Sequence, residues 1–225
     1  MKLKPALLAN GMFIVASWIL VILFYHRLPN PVPVHWTLSG RVNGTMEKPW
    51  GALLPALLMT GLWLGLVILP AISPRGFRME NFLGTWQLLI VLILAFMLFA
   101  EITAFLKASG AHLSLDHLIP AAIGILLIGF GNFMGKLRKN FFVGIRTPWT
   151  LANDTVWYKT HRLGAWIFVA GGLLFIGQGI WRGPVAIQIL TIAVIVVVPV
   201  VYSYWISRSI DPPTDPEDSQ ATPSQ

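Results

Sequence analysis

The sequence predicts an all-α protein, a polytopic bundle of six membrane-spanning helices with both termini on the cytoplasmic side. Three observations carry that prediction: scarce charge, six apolar runs of spanning length, and the placement of basic residues between those runs. Of the 225 residues, 56% are hydrophobic and 11% are charged, whereas soluble domains carry roughly a quarter charged residues. A chain of this length cannot clothe a water-facing surface with so little charge, so lipid is the solvent for most of it. The absence of cysteine excludes a disulfide framework, a cysteine zinc site and a thiol nucleophile.

A helix needs about 20 mostly apolar residues to cross the hydrocarbon core. Six stretches qualify, at about 6–25, 53–72, 82–106, 117–135, 163–181 and 184–206. The first exceeds the roughly 7–15 apolar residues of a signal peptide. It runs into His26-Arg27-Leu28-Pro29, which offers no small-residue cleavage site, and reads as an uncleaved anchor. Only Arg182 and Gly183 separate the fifth and sixth runs, which forces an antiparallel hairpin. Gly61-x-x-x-Gly65 and Gly131-x-x-x-Gly135 permit close helix approach, although glycine is common in such helices in any case. Pro199 removes a backbone hydrogen bond from the sixth run and is expected to bend it.

With the N-terminus inside, the inner segments hold Lys2, Lys4, Arg75, Arg78, Lys136, Arg138, Lys139, Arg146, Lys159, Arg162 and Arg208. The outer segments hold only Arg27, Arg41, Lys48, Lys107 and Arg182. This asymmetry obeys the positive-inside rule. The excess of base, a formal net charge of +7, therefore suits anionic lipid headgroups, and no direct nucleic-acid partner is expected. The chain divides into a two-span module with an ordered outer loop (1–80), a four-span module (81–209) and an acidic, proline-rich tail (210–225). The tail has nothing to bury and is expected to be disordered.

Chemistry could reside in three places. The outer loop, 26–50, alternates Val32, Val34 and Trp36 between prolines, which reads as an extended segment. Ser39-Gly40 and Asn43-Gly44 are turn signals. Such an ordered cap is either a surface that meets a peptide or a structural lid joining two helices. The inner loop, 136–162, exceeds the roughly 2–8 residues that usually link bundle helices. Thr147-Pro148 disfavours helix at Thr147, and Asn153 or Thr155 can cap the helix that follows. Its variety of hydrogen-bonding groups points either to a docking surface or to an internal tie in which Arg146 and His161 bond Asn132 or backbone carbonyls. The third place is the outer set of His26, His35, His112, His117, Asp116 and Glu101. His112 and His117 lack the i, i+4 spacing of two ligands on one helix face, so neither a metal site nor a cofactor is assigned. No HExxH, GxSxG or phosphate-loop pattern occurs, and an enzyme is not expected.

The inner segment carries Gly131, Asn132, Gly144, Ile145, Arg146, Thr147, Pro148, Trp149, Thr150, Trp157, Lys159, Thr160, His161, Arg162 and Gly164 in order. This run resembles the hallmark segment of the SdpI family of bacterial membrane immunity proteins. The outer Pro31-Val32-Pro33-Val34-His35-Trp36, with Gly40 and Gly44, is similar to the uncharacterised N-terminal module that commonly precedes it, and together the likeness covers about residues 10–206. The resemblance implies a multi-pass protein of the bacterial inner (cytoplasmic) membrane that gives immunity to a secreted antimicrobial peptide. It also implies a second role, signalling by drawing a cytoplasmic transcriptional repressor to the membrane. On that basis Asn132, Arg146, Thr147, Pro148, Trp149, Trp157, Lys159, Thr160, His161 and Arg162 form the cytoplasmic docking or structural motif. His35, Trp36, Gly40 and Glu101 are the candidates for facing the peptide outside. The alternative function is transport of a small molecule or ion, for which Glu101 is the one candidate intramembrane acid.

Overall fold

The computed structural model describes residues 3–37, 41–74 and 79–210. Its elements run α1 (Leu3–Phe24), β1 (Val32–Trp36), β2 (Val42–Met46), α2 (Trp50–Ile68), a 3-10 turn (Glu80–Phe82), α3 (Leu83–Ala108), α4 (Leu115–Met134), α5 (Pro148–Ala152), α6 (Asp154–Trp181) and α7 (Val185–Ile210). Six helices, all but α5, are long and apolar enough to span a bilayer. The protein is a mostly helical, multi-pass membrane protein. The acidic tail from Asp211 onward, together with Lys2, Ser39, Gly40, Arg75 and Arg78, lies outside the described residues.

Burial follows the logic of a lipid solvent. Helix α7 buries one stripe, Gln188, Thr191, Ile195, Pro199, Ser203 and Ile206, at helical spacing. Its other faces expose Val196, Val197 and Trp205, side chains that water would not tolerate as one surface. The helix continues unbroken through Pro199. Its link to α6 is the expected tight connection, with Arg182 in the left-handed conformation at φ 50°.

Helix α6 starts nine residues before the apolar run that predicts it. The Asn153 side chain accepts from the amides of Thr155 (2.8 Å) and Val156 (3.2 Å), so the helix is capped at the polar boundary. At 28 residues it reaches about 42 Å, longer than a hydrocarbon core of about 30 Å. That length leaves the polar first turns of α6 in excess of what crossing the core requires.

On the opposite side, the segment between α1 and α2 forms an antiparallel hairpin. Val32 stands opposite Met46 and Trp36 opposite Val42. The extended character of the first strand is legible in its alternation; the partner strand is not. Lys48 anchors the hairpin base by donating from Nζ to the carbonyls of Tyr25 and Leu28, both at 2.7 Å. Those carbonyls lie in the turn that follows α1, beyond the reach of the helix's own donors.

Helix α3 packs against α1, α2 and α4, with Trp86, Leu89, Ile90 and Leu94 buried among Ile14 and Met59. Trp86 Nε1 donates to the carbonyl of Leu66 at 3.1 Å. The most extensive helix pair is α4 with α6, which run antiparallel with their backbones touching. A Cβ placed on Gly124 would lie 2.5 Å from the carbonyl oxygen of Gly172, and one on Gly172 would lie 2.6 Å from that of Gly124. Gly131 meets Ala165, and Gly179 meets His117, in the same register. By contrast, Gly61, Gly65 and Gly135 have open space beside them. The close approach therefore uses glycines seven apart on each helix, and of the two GxxxG pairs only Gly131 takes part.

Gly172→Ala is expected to force these backbones apart and to destabilise the protein by about 1–3 kcal/mol. The measurement is a thermal unfolding scan in detergent, in which Gly61→Ala is expected to leave the midpoint unchanged.

Candidate functional site

The segment from the end of α4 to the first turns of α6 folds into an ordered plug, and its hydrogen bonds explain the residue types it carries. Asn140 is fully buried. Its Nδ2 donates to the carbonyls of Arg138 and Val143, both at 2.9 Å. Its Oδ1 accepts from the amides of Phe142 (2.9 Å) and Val143 (2.7 Å). The side chain thus satisfies two donors and one acceptor oxygen from within the turn, and no hydrocarbon residue could replace it.

Gly144 follows at φ 113°, a conformation that favours glycine, and a Cβ there would lie 2.3 Å from His161 Nε2. The amide of Ile145 donates to that Nε2 at 3.0 Å. The proton on Nδ1 is therefore free to donate to the Trp157 carbonyl, 2.8 Å away. Trp157 stacks on the His161 ring, centroids 4.0 Å apart and planes 21° from parallel. Its Nε1 donates to the Leu137 carbonyl at 2.9 Å. One Trp–His pair on α6 thus clamps both the beginning and the middle of the plug.

The five-residue α5 is built by a capping box. Thr147 Oγ1 accepts from the Thr150 amide (3.2 Å), Thr150 Oγ1 accepts from the Thr147 amide (2.9 Å), and Pro148 takes the first helical position. Thr150 Oγ1 also donates to the Ile145 carbonyl at 2.9 Å. Thr147 Oγ1 lies 3.0 Å from Ser203 Oγ of α7, and Trp149 meets Tyr204 edge-on at 5.0 Å. The plug is therefore fastened to α7 as well as to α6.

The motif residues separate into two groups. Thr147, Trp157, Thr160 and His161 are buried, and Trp149 is half-buried. Asn132, Arg146, Pro148, Lys159 and Arg162 are exposed. Arg146 donates from Nη1 to the Phe141 carbonyl, and Lys139 pairs with Asp154 at 2.5 Å. Both Arg146 and His161 bond backbone groups, but Arg146 bonds within the plug, and His161 joins the plug to α6 through the Ile145 amide instead of tying the fourth and fifth spans to each other. Asn140, Thr150 and Ser203 complete the network: Asn140 belongs to the loop's variety of hydrogen-bonding groups and Thr150 to the run that carries the family likeness, whereas Ser203, on α7, was not singled out from sequence.

The outer candidates also separate. His35 is exposed, with Nδ1 2.5 Å from Asn43 Oδ1. Trp36 is half-buried, and Gly40 lies outside the described residues. Glu101 does not face the outer surface: it is 3% exposed, and its Oε2 accepts from Ser17 Oγ of α1 at 2.6 Å. It sits well before the end of α3, on the face that packs against α1, which is why it is covered. His117 bonds the Gly179 carbonyl and Arg182 Nε, which fastens α4 to the end of α6. Among the described residues no three His, Asp or Glu side chains gather as metal ligands.

Residues 136–203 match the family model of the SdpI/YfhL protein family. The match takes in the plug, α5, α6 and α7 as far as Ser203, and so covers every motif residue except Asn132. Residues 12–60 match a domain of unknown function, DUF1648, which contains the hairpin. The Immunity protein SdpI of Bacillus subtilis (strain 168) is 26% identical over 197 residues, covering 87% of this chain and 92% of that protein. No solved structure matches significantly.

Gly144→Ala and His161→Phe are each expected to cost about 1–3 kcal/mol, the first by strain and collision and the second by stranding the Ile145 amide. Both should lower membrane abundance and the melting temperature in detergent. The exposed Arg162→Ala is expected to stay within about 0.5 kcal/mol of the parent.

Proposed function

We propose that this protein confers immunity on the cell whose membrane it spans, blocking a secreted antimicrobial peptide at that membrane. The observation that carries the reading is the end-to-end similarity to an immunity protein, 87% of this chain against 92% of the relative. The similarity takes in the hairpin and the plug together. Amphipathic peptides partition into the membrane interface, where the exposed His35 and the aromatic Trp36 on the hairpin are the groups placed to engage them. The work is binding, not catalysis.

The orientation that accompanies this reading puts the hairpin outside and the plug in the cytoplasm, as the basic residues favour. The division at about residue 80 then assigns capture to the first module and inward signalling to the second. Exposed Arg146, Lys159 and Arg162 make a docking face for a cytoplasmic repressor, with Thr147, Trp157, Thr160 and His161 holding that face in shape beneath. One observation favours a second reading, transport of an ion or small molecule: the carboxylate of Glu101 is buried between spanning helices, with Oε1 unpartnered among the described residues.

Expression in a peptide-sensitive strain is expected to raise survival, and His35→Ala combined with Trp36→Ala to return it to the empty-vector level at equal abundance. Wild-type protein that gives no protection overturns the reading. In the same assay Glu101→Gln keeps protection if binding suffices; losing it at normal abundance favours transport. For the inward role, tagged protein incubated with cytoplasmic extract is expected to retain a partner that Lys159→Ala with Arg162→Ala releases. Retention by that variant and by Arg146→Ala moves the docking face elsewhere.

A further inference from the structure

A cavity of about 400 Å³ opens between α4, α6 and α7 on the hairpin side. Trp36 stands at its mouth, with Gln188 near the start of α7, and its walls descend from Leu115 to Leu127, Phe168 and Ile195. The twelve helical steps from Leu115 to Leu127 correspond to a depth of about 18 Å, close to one leaflet of a hydrocarbon core about 30 Å thick.

Three features define the occupant. The deep walls are aliphatic and aromatic, and an apolar cavity of this kind does not hold water. The polar groups collect at the mouth: among the described residues Trp36 Nε1 is buried without a hydrogen bond, Gln188 is 6% exposed, and Thr37 Oγ1 accepts from the Arg41 amide at 3.2 Å. Girth decides the rest. Spread over that depth, the volume gives a mean cross-section of roughly 20 Å², whereas a helix about 10–12 Å wide needs roughly 80–110 Å². A space this narrow suits one unbranched hydrocarbon chain better than a helical peptide.

We propose that this cavity binds one acyl chain of a phospholipid from the hairpin-side leaflet, with Trp36 Nε1 and the Gln188 amide donating to its ester oxygens. Lipid tails are as apolar as the cavity wall, so preference over bulk lipid comes from those two donors and from filling a space that would otherwise be void. The lipid joins the hairpin of the first module to the helices of the second. This proposal is independent of what the protein protects against.

The test uses the full-length protein in phosphatidylethanolamine–phosphatidylglycerol vesicles doped with a phosphatidylethanolamine that carries a diazirine at the end of one acyl chain. After illumination, adducts are mapped by mass spectrometry. Labelling is expected to concentrate on Leu127, Phe168 and Ile195, about tenfold above the lipid-exposed Met12 of α1. Ile123→Trp, which fills the cavity, should remove that excess and leave Met12 unchanged; Ile192→Phe, at a half-exposed wall position, serves if the first variant does not fold. Labelling that simply follows exposure, or that persists in a folded filled variant, overturns the proposal. So does displacement of the label by an added amphipathic helical peptide, which would make a peptide the occupant.

Discussion

Helices α4 and α6 touch backbone to backbone, and the register of that contact governs both ends of the second module. Gly124 against Gly172 sets it, with Gly131 on Ala165 and Gly179 on His117 repeating it along the pair. Between membrane helices there is little hydrophobic drive, so close van der Waals packing must hold them. Continued past Met134, the same register brings Leu137 beside Trp157 and makes the hydrogen bond between them possible. At the other end it lays His117 along Gly179 and leaves α7 to close a cavity against both helices.

The plug illustrates why this segment is so rich in hydrogen-bonding side chains. It has no long helix and no sheet of its own, so its backbone groups need partners from elsewhere. Asn140, Thr150 and His161 supply them from three directions. Chemical variety that reads as a binding surface is in part the cost of burying irregular backbone beside a membrane. The exposed remainder, Arg146, Lys159 and Arg162, lies over this buried half, and under the proposed function it is the face a cytoplasmic partner would meet.

The first module is organised around its contacts with α3. Ser17 with Glu101, and Asn10 with Gln87 at 2.7 Å, bridge α1 and α3 through polar pairs. In hydrocarbon such groups find one another because lipid offers no alternative. The hairpin above them is fixed at its base by Lys48, while Trp36 reaches over the α4–α6–α7 cavity. Contact between the modules on that side also runs through Phe105 of α3, which packs with Val21, Leu28 and Val32 and meets the Phe24 ring at 5.8 Å.

The number and order of the spanning helices were written in the sequence, because crossing a hydrocarbon layer demands about 20 apolar residues regardless of neighbours. So was the tight turn at Arg182-Gly183, and so was a cap at Asn153 or Thr155, of which Asn153 takes the role, where local backbone chemistry decides; the short α5 after Thr147 was not. The likeness of residues 131–164 to a family segment was also legible, since an ordered run of tryptophan, threonine, histidine and arginine is specific in itself. Tertiary structure alone decided that His161 faces Ile145 and that Glu101 lies covered by Ser17. It likewise selected Gly124 and Gly172, not Gly61 and Gly65, as the point of closest approach. Each of these depends on which face of a helix meets another helix, and in a membrane nearly every face is apolar, so the sequence pattern that marks the inward face of a soluble helix is largely missing here.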